Sequence, residues 1–209
     1  MNAIVDRLKS ARVAPVIRTS TEALARQVVE ILREEGFDLF EITLTTPGAI
    51  AIIRDLAADP SLCIGAGTIT RAEQGRDVAE AGAGFVVSPV FVPGLAEICT
   101  EAGTPLALGA ATPSEALRAH EQGAAFVKLF PAAQLGGPGF VKALRSVFPA
   151  FTFMPTGGIG PDDIPAYLSA GAACLGMGGN LVNEAALRDG NDHVIRDAAR
   201  AVQAAIRAL

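Results

Sequence analysis

Glu121-Gln122-Gly123-Ala124-Ala125-Phe126-Val127-Lys128-Leu129-Phe130-Pro131 is the segment on which the reading of the fold turns. A glycine after a charged helical stretch suits a helix C-cap, because it enters the left-handed region without steric cost. Two small residues later a short apolar run begins, the pattern of a strand buried on both faces. The same phrase recurs. Glu34-Glu35-Gly36 precedes Leu39-Phe40, and Glu80-Ala81-Gly82 precedes Phe85-Val86-Val87. Glu101-Ala102-Gly103 precedes Leu106-Ala107-Leu108, and Ser169-Ala170-Gly171 precedes Cys174-Leu175. A repeat of about twenty to twenty-five residues holds one strand and one helix, and alternating units of this kind imply a parallel sheet.

Eight strands are expected, at Pro15–Arg18, Leu39–Thr45, Cys63–Gly65, Phe85–Val87, Leu106–Leu108, Phe126–Phe130, Phe151–Pro155 and Cys174–Gly176. Helices fill the gaps, with an extra one at Met1–Ala11 and a longer one at His193–Ala208. Thr112-Pro113-Ser114-Glu115 combines an N-cap, a first-turn proline and a capping-box glutamate. No linker interrupts the series, so residues 1–209 read as one (β/α)8 TIM-barrel domain. An open doubly wound sheet is the rival, and eight even units leave it neither a spare strand nor a switch point.

Half of the 209 residues are apolar and the net charge is -5. A chain this long can bury a full core. Nucleic acid and anionic membrane both call for clustered Lys and Arg, so neither is the expected partner. Charges interrupt the N-terminal stretch from Asp6 onward, which does not read as a signal peptide, and no apolar run reaches the length of a membrane span. Cys63, Cys99 and Cys174 are few, odd in number and set among apolar neighbours. They read as buried free thiols in a reducing cytoplasm.

Polar residues at the C-terminal ends of barrel strands carry most of the functional information. On the second strand, alternation sends Phe40, Ile42 and Leu44 under the helices and leaves Glu41, Thr43 and Thr45 pointing into the barrel. A carboxylate there is costly unless paired or useful. On the sixth strand Lys128 stands alone in an apolar run, sharing its face with Phe126 and Phe130. Desolvation favours the neutral amine needed for attack on a carbonyl, whereas an ionised Glu41 nearby favours the ammonium. Two glycine turns, Thr156-Gly157-Gly158-Ile159 and Gly176-Met177-Gly178-Gly179-Asn180, follow the last two strands, where barrels commonly cradle phosphate. His120 and His193 fall on outer helices, so no histidine-rich metal site is expected. Gly65-Ala66-Gly67-Thr68 lacks the third glycine of a dinucleotide fingerprint, and neither a Walker lysine nor a nucleophile-elbow serine occurs.

Over essentially its whole length the sequence resembles the 2-keto-3-deoxy-6-phosphogluconate / 4-hydroxy-2-oxoglutarate aldolase family. The resemblance rests on Glu41-Ile42-Thr43-Leu44, Gly65-Ala66-Gly67-Thr68, Ser88-Pro89, Val127-Lys128-Leu129-Phe130-Pro131-Ala132, Pro155-Thr156-Gly157-Gly158-Ile159 and Gly178-Gly179, in this order. It implies a Schiff base on Lys128, an acid/base role for Glu41 partly through a water, and no metal or organic cofactor. It also implies pyruvate-end contacts from Thr68 and Pro89, a distal phosphate held by Gly157, Gly158, Gly178 and Gly179, and a homotrimer. Phe130 and Thr156 belong to the matching words and join the candidate substrate-binding residues. Two positions depart from the gluconate-specific pattern: Thr45 stands where an arginine is usual, and Asn180 where serine is usual. Thr45-Thr46-Pro47 instead looks like the branch acting on the galactonate epimer, which carries an arginine at the end of the first strand, and Arg18 occupies that place. A non-covalent phosphosugar isomerase, epimerase or synthase on the same barrel, and a barrel that only binds a metabolite, are the competing expectations.

Overall fold

The five expected cap glycines, Gly36, Gly82, Gly103, Gly123 and Gly171, all adopt positive φ, between 67° and 102°. Each turns a helix end into the next buried segment. The computed structural model describes residues 2–209. Its strands are β1 (Val13–Ile17), β2 (Leu39–Thr43), β3 (Cys63–Gly67), β4 (Phe85–Val87), β5 (Leu106–Ala110), β6 (Phe126–Leu129), β7 (Phe153–Pro155) and β8 (Leu175–Met177). The helices are α1 (Ala3–Ala11), α2 (Glu22–Glu34), α3 (Ala49–Ala57), α4 (Ala72–Glu80), α5 (Leu95–Glu101), α6 (Pro113–Glu121), α7 (Gly137–Val147), α8 (Ile164–Ser169), α9 (Glu184–Arg188) and α10 (His193–Arg207).

All strands are parallel and run in the order β7-β6-β5-β4-β3-β2-β1-β8. Single bridges, Phe153 to Ala172 and Thr156 to Gly176, join the two ends and close the (β/α)8 barrel. Thr112 caps α6 by accepting the Glu115 N–H, while the Glu115 carboxylate reaches back over the cap and accepts from the Ala111 N–H and the Thr112 hydroxyl.

Several strand ends move by a residue or two from expectation, each for a tertiary reason. Expected from Pro15, β1 begins at Val13, which pairs with Leu175 of β8. The second strand stops at Thr43 because Thr46 turns back to donate its N–H to the Thr43 carbonyl, which leaves Thr45 beyond the strand and exposed at the rim. Its partner β3 runs on to Gly67, which pairs with Thr43. Phe151 lies outside β7, stacked on His120 and Phe148 at 4.0 and 4.5 Å. The first helix begins at Ala3, with Asn2 as its cap; Met1 lies outside the described residues.

Alternation sorts the apolar residues into two cores. The larger lies between strands and helices and includes Ile17, Phe40, Ile42, Ile64, Val86, Leu108, Val127 and Phe153. The smaller fills the N-terminal half of the barrel with Leu39, Cys63, Phe85, Phe126, Met154 and Cys174. Leu8 of α1 joins this inner core, flanked by Ile4 and Val5, so the extra helix plugs the bottom of the barrel. The cysteines are free and buried, and desolvation pushes the thiols of Cys63 and Cys99 up to about 11 and that of Cys174 to about 12. No described helix is long and apolar enough to cross a membrane.

Leu8→Ala tests the plug. Truncating a fully buried leucine should lower stability by about 2–5 kcal/mol in denaturant titrations. Turnover at low temperature should stay at the parent level, because the plug and the mouth are at opposite ends. A stability loss below about 1 kcal/mol would show that α1 merely lies on the surface.

Candidate active site

Inside the barrel, above the apolar layer, the pattern changes from hydrocarbon to charge. Glu41 of β2 and Lys128 of β6 are separated by 87 residues in sequence, yet Lys128 Nζ lies 3.5 Å from Glu41 Oε1. Lys128 is 4% exposed and Glu41 is fully buried. The second carboxylate oxygen of Glu41, Oε2, is buried without any hydrogen-bond partner. A buried charge with an unsatisfied lone pair is expensive and asks for an explanation other than stability. The ring centroid of Phe130 lies 5.9 Å from Lys128 Nζ, carrying the apolar surround of the amine up to the rim.

Room for the carboxylate comes from β3. A Cβ on Gly67 would sit 2.0 Å from Glu41 Oε1, and one on Gly65 would sit 2.2 Å from the Phe85 ring. The Gly65-Ala66-Gly67 phrase is therefore a space requirement, not a nucleotide loop. In the same way, a Cβ on Gly109 would run into the Pro89 backbone at 2.0 Å, so glycine lets the segment after β4 lie over the end of β5. Ser88, fully buried, holds that segment: its hydroxyl donates to the Val90 carbonyl and accepts the Val90 N–H.

At the mouth a cavity of about 360 Å³ opens between the ends of β1, β7 and β8. Arg18, Phe130 and Thr156 line it together with the two glycine turns and Asn180. The two turns use glycine for different reasons. Gly157 and Gly158 have φ of 101° and 75°, a conformation other residues rarely hold. Gly178 and Gly179 have no such φ, and a Cβ on either would meet nothing closer than 3.9 Å. At that pair glycine leaves the cavity wide. None of the N–H groups of Gly158, Gly179 and Asn180 is taken by another backbone group of the described residues. Such a set of free donors suits an anion.

Arg18 follows β1 directly and is exposed at the rim, where its Nη2 donates to Thr68 Oγ1 at 3.1 Å. The side chain thus spans from the end of β1 to the end of β3, past the end of β2. Thr68 has φ of 62°, an unusual conformation for a β-branched residue that concentrates at functional positions. Thr45, Thr68 and Pro89 are not among the residues lining the cavity. Thr45 shares a hydroxyl contact of 3.0 Å with Thr43, Thr68 meets the site through Arg18, and Pro89 flanks a separate hollow of about 170 Å³ that shares Phe130. Sequence reasoning missed Val16, Ile159 and Val182 as cavity wall. An aliphatic residue lining a pocket reads the same as one in a core, so nothing marked Val16 and Val182, and Ile159 stood out only as the close of a glycine turn.

The comparisons with known proteins follow the same lines. The family described as KDPG and KHG aldolase matches residues 4–197. The chain is 36% identical over 175 residues to a 2-dehydro-3-deoxy-phosphogluconate aldolase of Pseudomonas aeruginosa, covering 82% of this chain and 80% of that one. It is 34% identical to the KDPG aldolase of Legionella pneumophila, whose structure has pyruvate captured at low pH as a covalent carbinolamine intermediate; the TM-score is 0.84, over 95% and 97% of the two chains. A native KDPGal structure aligns with a TM-score of 0.83 at 30% identity, over 94% of each chain.

Gly67→Ala probes the space reserved for Glu41. The new methyl group must displace the carboxylate, so turnover should fall by roughly 10²–10⁴, the range for a misplaced acid/base group. Far-ultraviolet circular dichroism should be unchanged. Parent-level turnover with an unchanged fold would mean that the position of Glu41 is immaterial.

Proposed function

The chain belongs to the KDPG and KHG aldolase family, and from that membership we propose which residues carry its chemistry and which substrates it takes. The protein is a class I aldolase that reversibly cleaves a 2-keto-3-deoxy-6-phospho sugar acid to pyruvate and glyceraldehyde 3-phosphate. The single observation that carries the residue assignment is the buried Lys128–Glu41 pair inside the barrel.

Lys128 Nζ adds to the C2 carbonyl, and loss of water from the carbinolamine leaves a cationic iminium. That cation accepts the electron pair of the C3–C4 bond when the C4 hydroxyl gives up its proton. The aldehyde departs and an enamine remains, to be protonated at C3 and released as pyruvate by water. Glu41 moves the protons in carbinolamine formation, cleavage and enamine protonation. Its unpartnered Oε2 supports this role, since that oxygen is free of any structural bond. Burial of Lys128 favours the covalent route over a non-covalent isomerase or a binding-only barrel, neither of which needs an amine there.

The free N–H groups of Gly158, Gly179 and Asn180 and the open space at Gly178 and Gly179 support the distal phosphate site, with Gly157 forming the turn beside them. A phosphate site also ranks 4-hydroxy-2-oxoglutarate, which has no phosphate, behind the phosphorylated sugar acids. Thr68 and Pro89 flank the pyruvate end. Arg18 takes the α-keto carboxylate in place of the arginine absent at Thr45, supported by its reach across the end of β2 to Thr68. Small molecules are the partners assigned, with no nucleic acid or membrane. The reducing cytoplasm suits three free thiols, and the homotrimer is the family's assembly.

Pyruvate with borohydride should leave one reduced adduct per chain on the peptide containing Lys128, and none in Lys128→Arg, as read by intact and peptide mass. Adducts spread over surface lysines would remove the Schiff base from this account. Moving the carboxylate anchor to another strand relaxes selectivity at C4, so both the gluconate and the galactonate epimers should be cleaved. Arg18→Ala should cost roughly ten- to a hundredfold in kcat/KM on either one, the worth of a charge-assisted bond. Kinetics indifferent to Arg18→Ala would assign the carboxylate elsewhere.

A further inference from the structure

Arg18 has no carboxylate partner among the described residues, and one hydrogen bond to Thr68 steadies its side chain. A long arginine side chain has much rotamer entropy to lose. Its aim therefore depends on the backbone from which it springs, and that backbone is gripped from two sides. On the inner side Thr46 Oγ1 accepts the Thr19 N–H at 3.3 Å and reaches the Ile17 carbonyl at 3.5 Å, the two peptide groups flanking Arg18. Thr46 is 2% exposed and sits 3.4 Å from the Thr43 hydroxyl, so its own position is set by the end of β2.

On the outer side Glu184 Oε2 accepts the Ser20 N–H at 3.1 Å, and Oε1 accepts the Ser20 hydroxyl. Arg188, one turn along α9, pairs with Glu184 Oε1 at 2.6 Å and donates to the Ser20 hydroxyl. The Ser20 hydroxyl bond holds the Glu184 carboxyl below its ordinary range. Glu184 opens the helix that follows the Gly178-Gly179 turn. The outer tie therefore joins the segment after β1 to the segment after β8, two walls of the same cavity.

We infer that Thr46 and Glu184 are positioning residues for Arg18, holding the Arg18–Ser20 segment between β2 and α9 so that the guanidinium meets the substrate carboxylate. The inference rests on the reading of Arg18 as carboxylate anchor. It predicts an effect that is transmitted through Arg18 and vanishes without it.

The test is a double-mutant cycle on cleavage of 2-keto-3-deoxy-6-phosphogluconate. Thr46→Val and Glu184→Ala are each made in the parent and in Arg18→Ala. In the parent, each should raise KM about three- to tenfold with kcat changed less than about twofold, and Thr46→Ser should restore the parent KM. In Arg18→Ala the same changes should move KM by less than about 1.5-fold, the sign of a shared pathway. Equal KM increases in both backgrounds would reduce the two residues to general stabilisers and overturn the inference, with the Arg18 reading intact. An unchanged KM in Arg18→Ala alone would overturn both together. Ser20→Ala, which removes the hydroxyl half of the outer tie from an exposed position, repeats the test where Glu184→Ala fails to fold.

Discussion

A lysine and a glutamate whose Nζ and Oε1 lie 3.5 Å apart inside a protein form the arrangement that the rest of this barrel has to accommodate. Taking both groups out of water costs several kcal/mol per ion, and their attraction recovers that loss only with close geometry and full hydrogen bonding. Here the contact is long and Glu41 Oε2 has no partner. Apolar residues of similar volume at both positions are the more stable solution by that argument. The proposed chemistry gives the pair a reason to persist, since carbon–carbon cleavage through an iminium needs an amine and a proton carrier in one dry space. Two separate apolar cores, one inside the barrel and one outside it, offset the cost.

That offset is distributed unevenly along the barrel axis. The bottom is closed by α1, with Leu8 driven in among Leu39, Phe85 and Phe126. The top carries turns, glycines and exposed side chains, where rigidity comes from local devices such as the Ser88 hydroxyl gripping Val90. Glycine has three distinct duties at this end. At Gly67 it makes room for a side chain, at Gly157 and Gly158 it permits a left-handed backbone, and at Gly178 and Gly179 it keeps a cavity open. A side chain at these sites would act in different ways, although the residue type replaced is the same.

The proposed role of Arg18 would have a barrel relocate a function from one strand to its neighbour. Thr45 is a short side chain at the rim, occupied with Thr43. On the neighbouring strand Arg18 crosses the end of β2 and meets Thr68 on the far side. Adjacent strand ends in a barrel converge on one mouth, so a long side chain from either can serve the same spot. An anchor reaching from a neighbouring strand depends more heavily on its backbone support, which is why the segment around Ser20 matters.

Local sequence determined a good deal. The cap glycines announced the turns, the apolar runs announced the strands, and period-two alternation assigned Glu41 and Lys128 to the interior. These features depend only on backbone stereochemistry and on which face meets water, both of which a short window records. Tertiary structure decided the rest: the strand ends at Thr43 and Gly67, the exit of Thr45 to the rim, the meaning of Gly67 and the reach of Arg18. Those outcomes depend on how eight strands are staggered when the sheet closes, and the stagger brings together residues as far apart as 41 and 128. A window of the chain carries no record of that stagger, because it exists only once β7 and β8 have met.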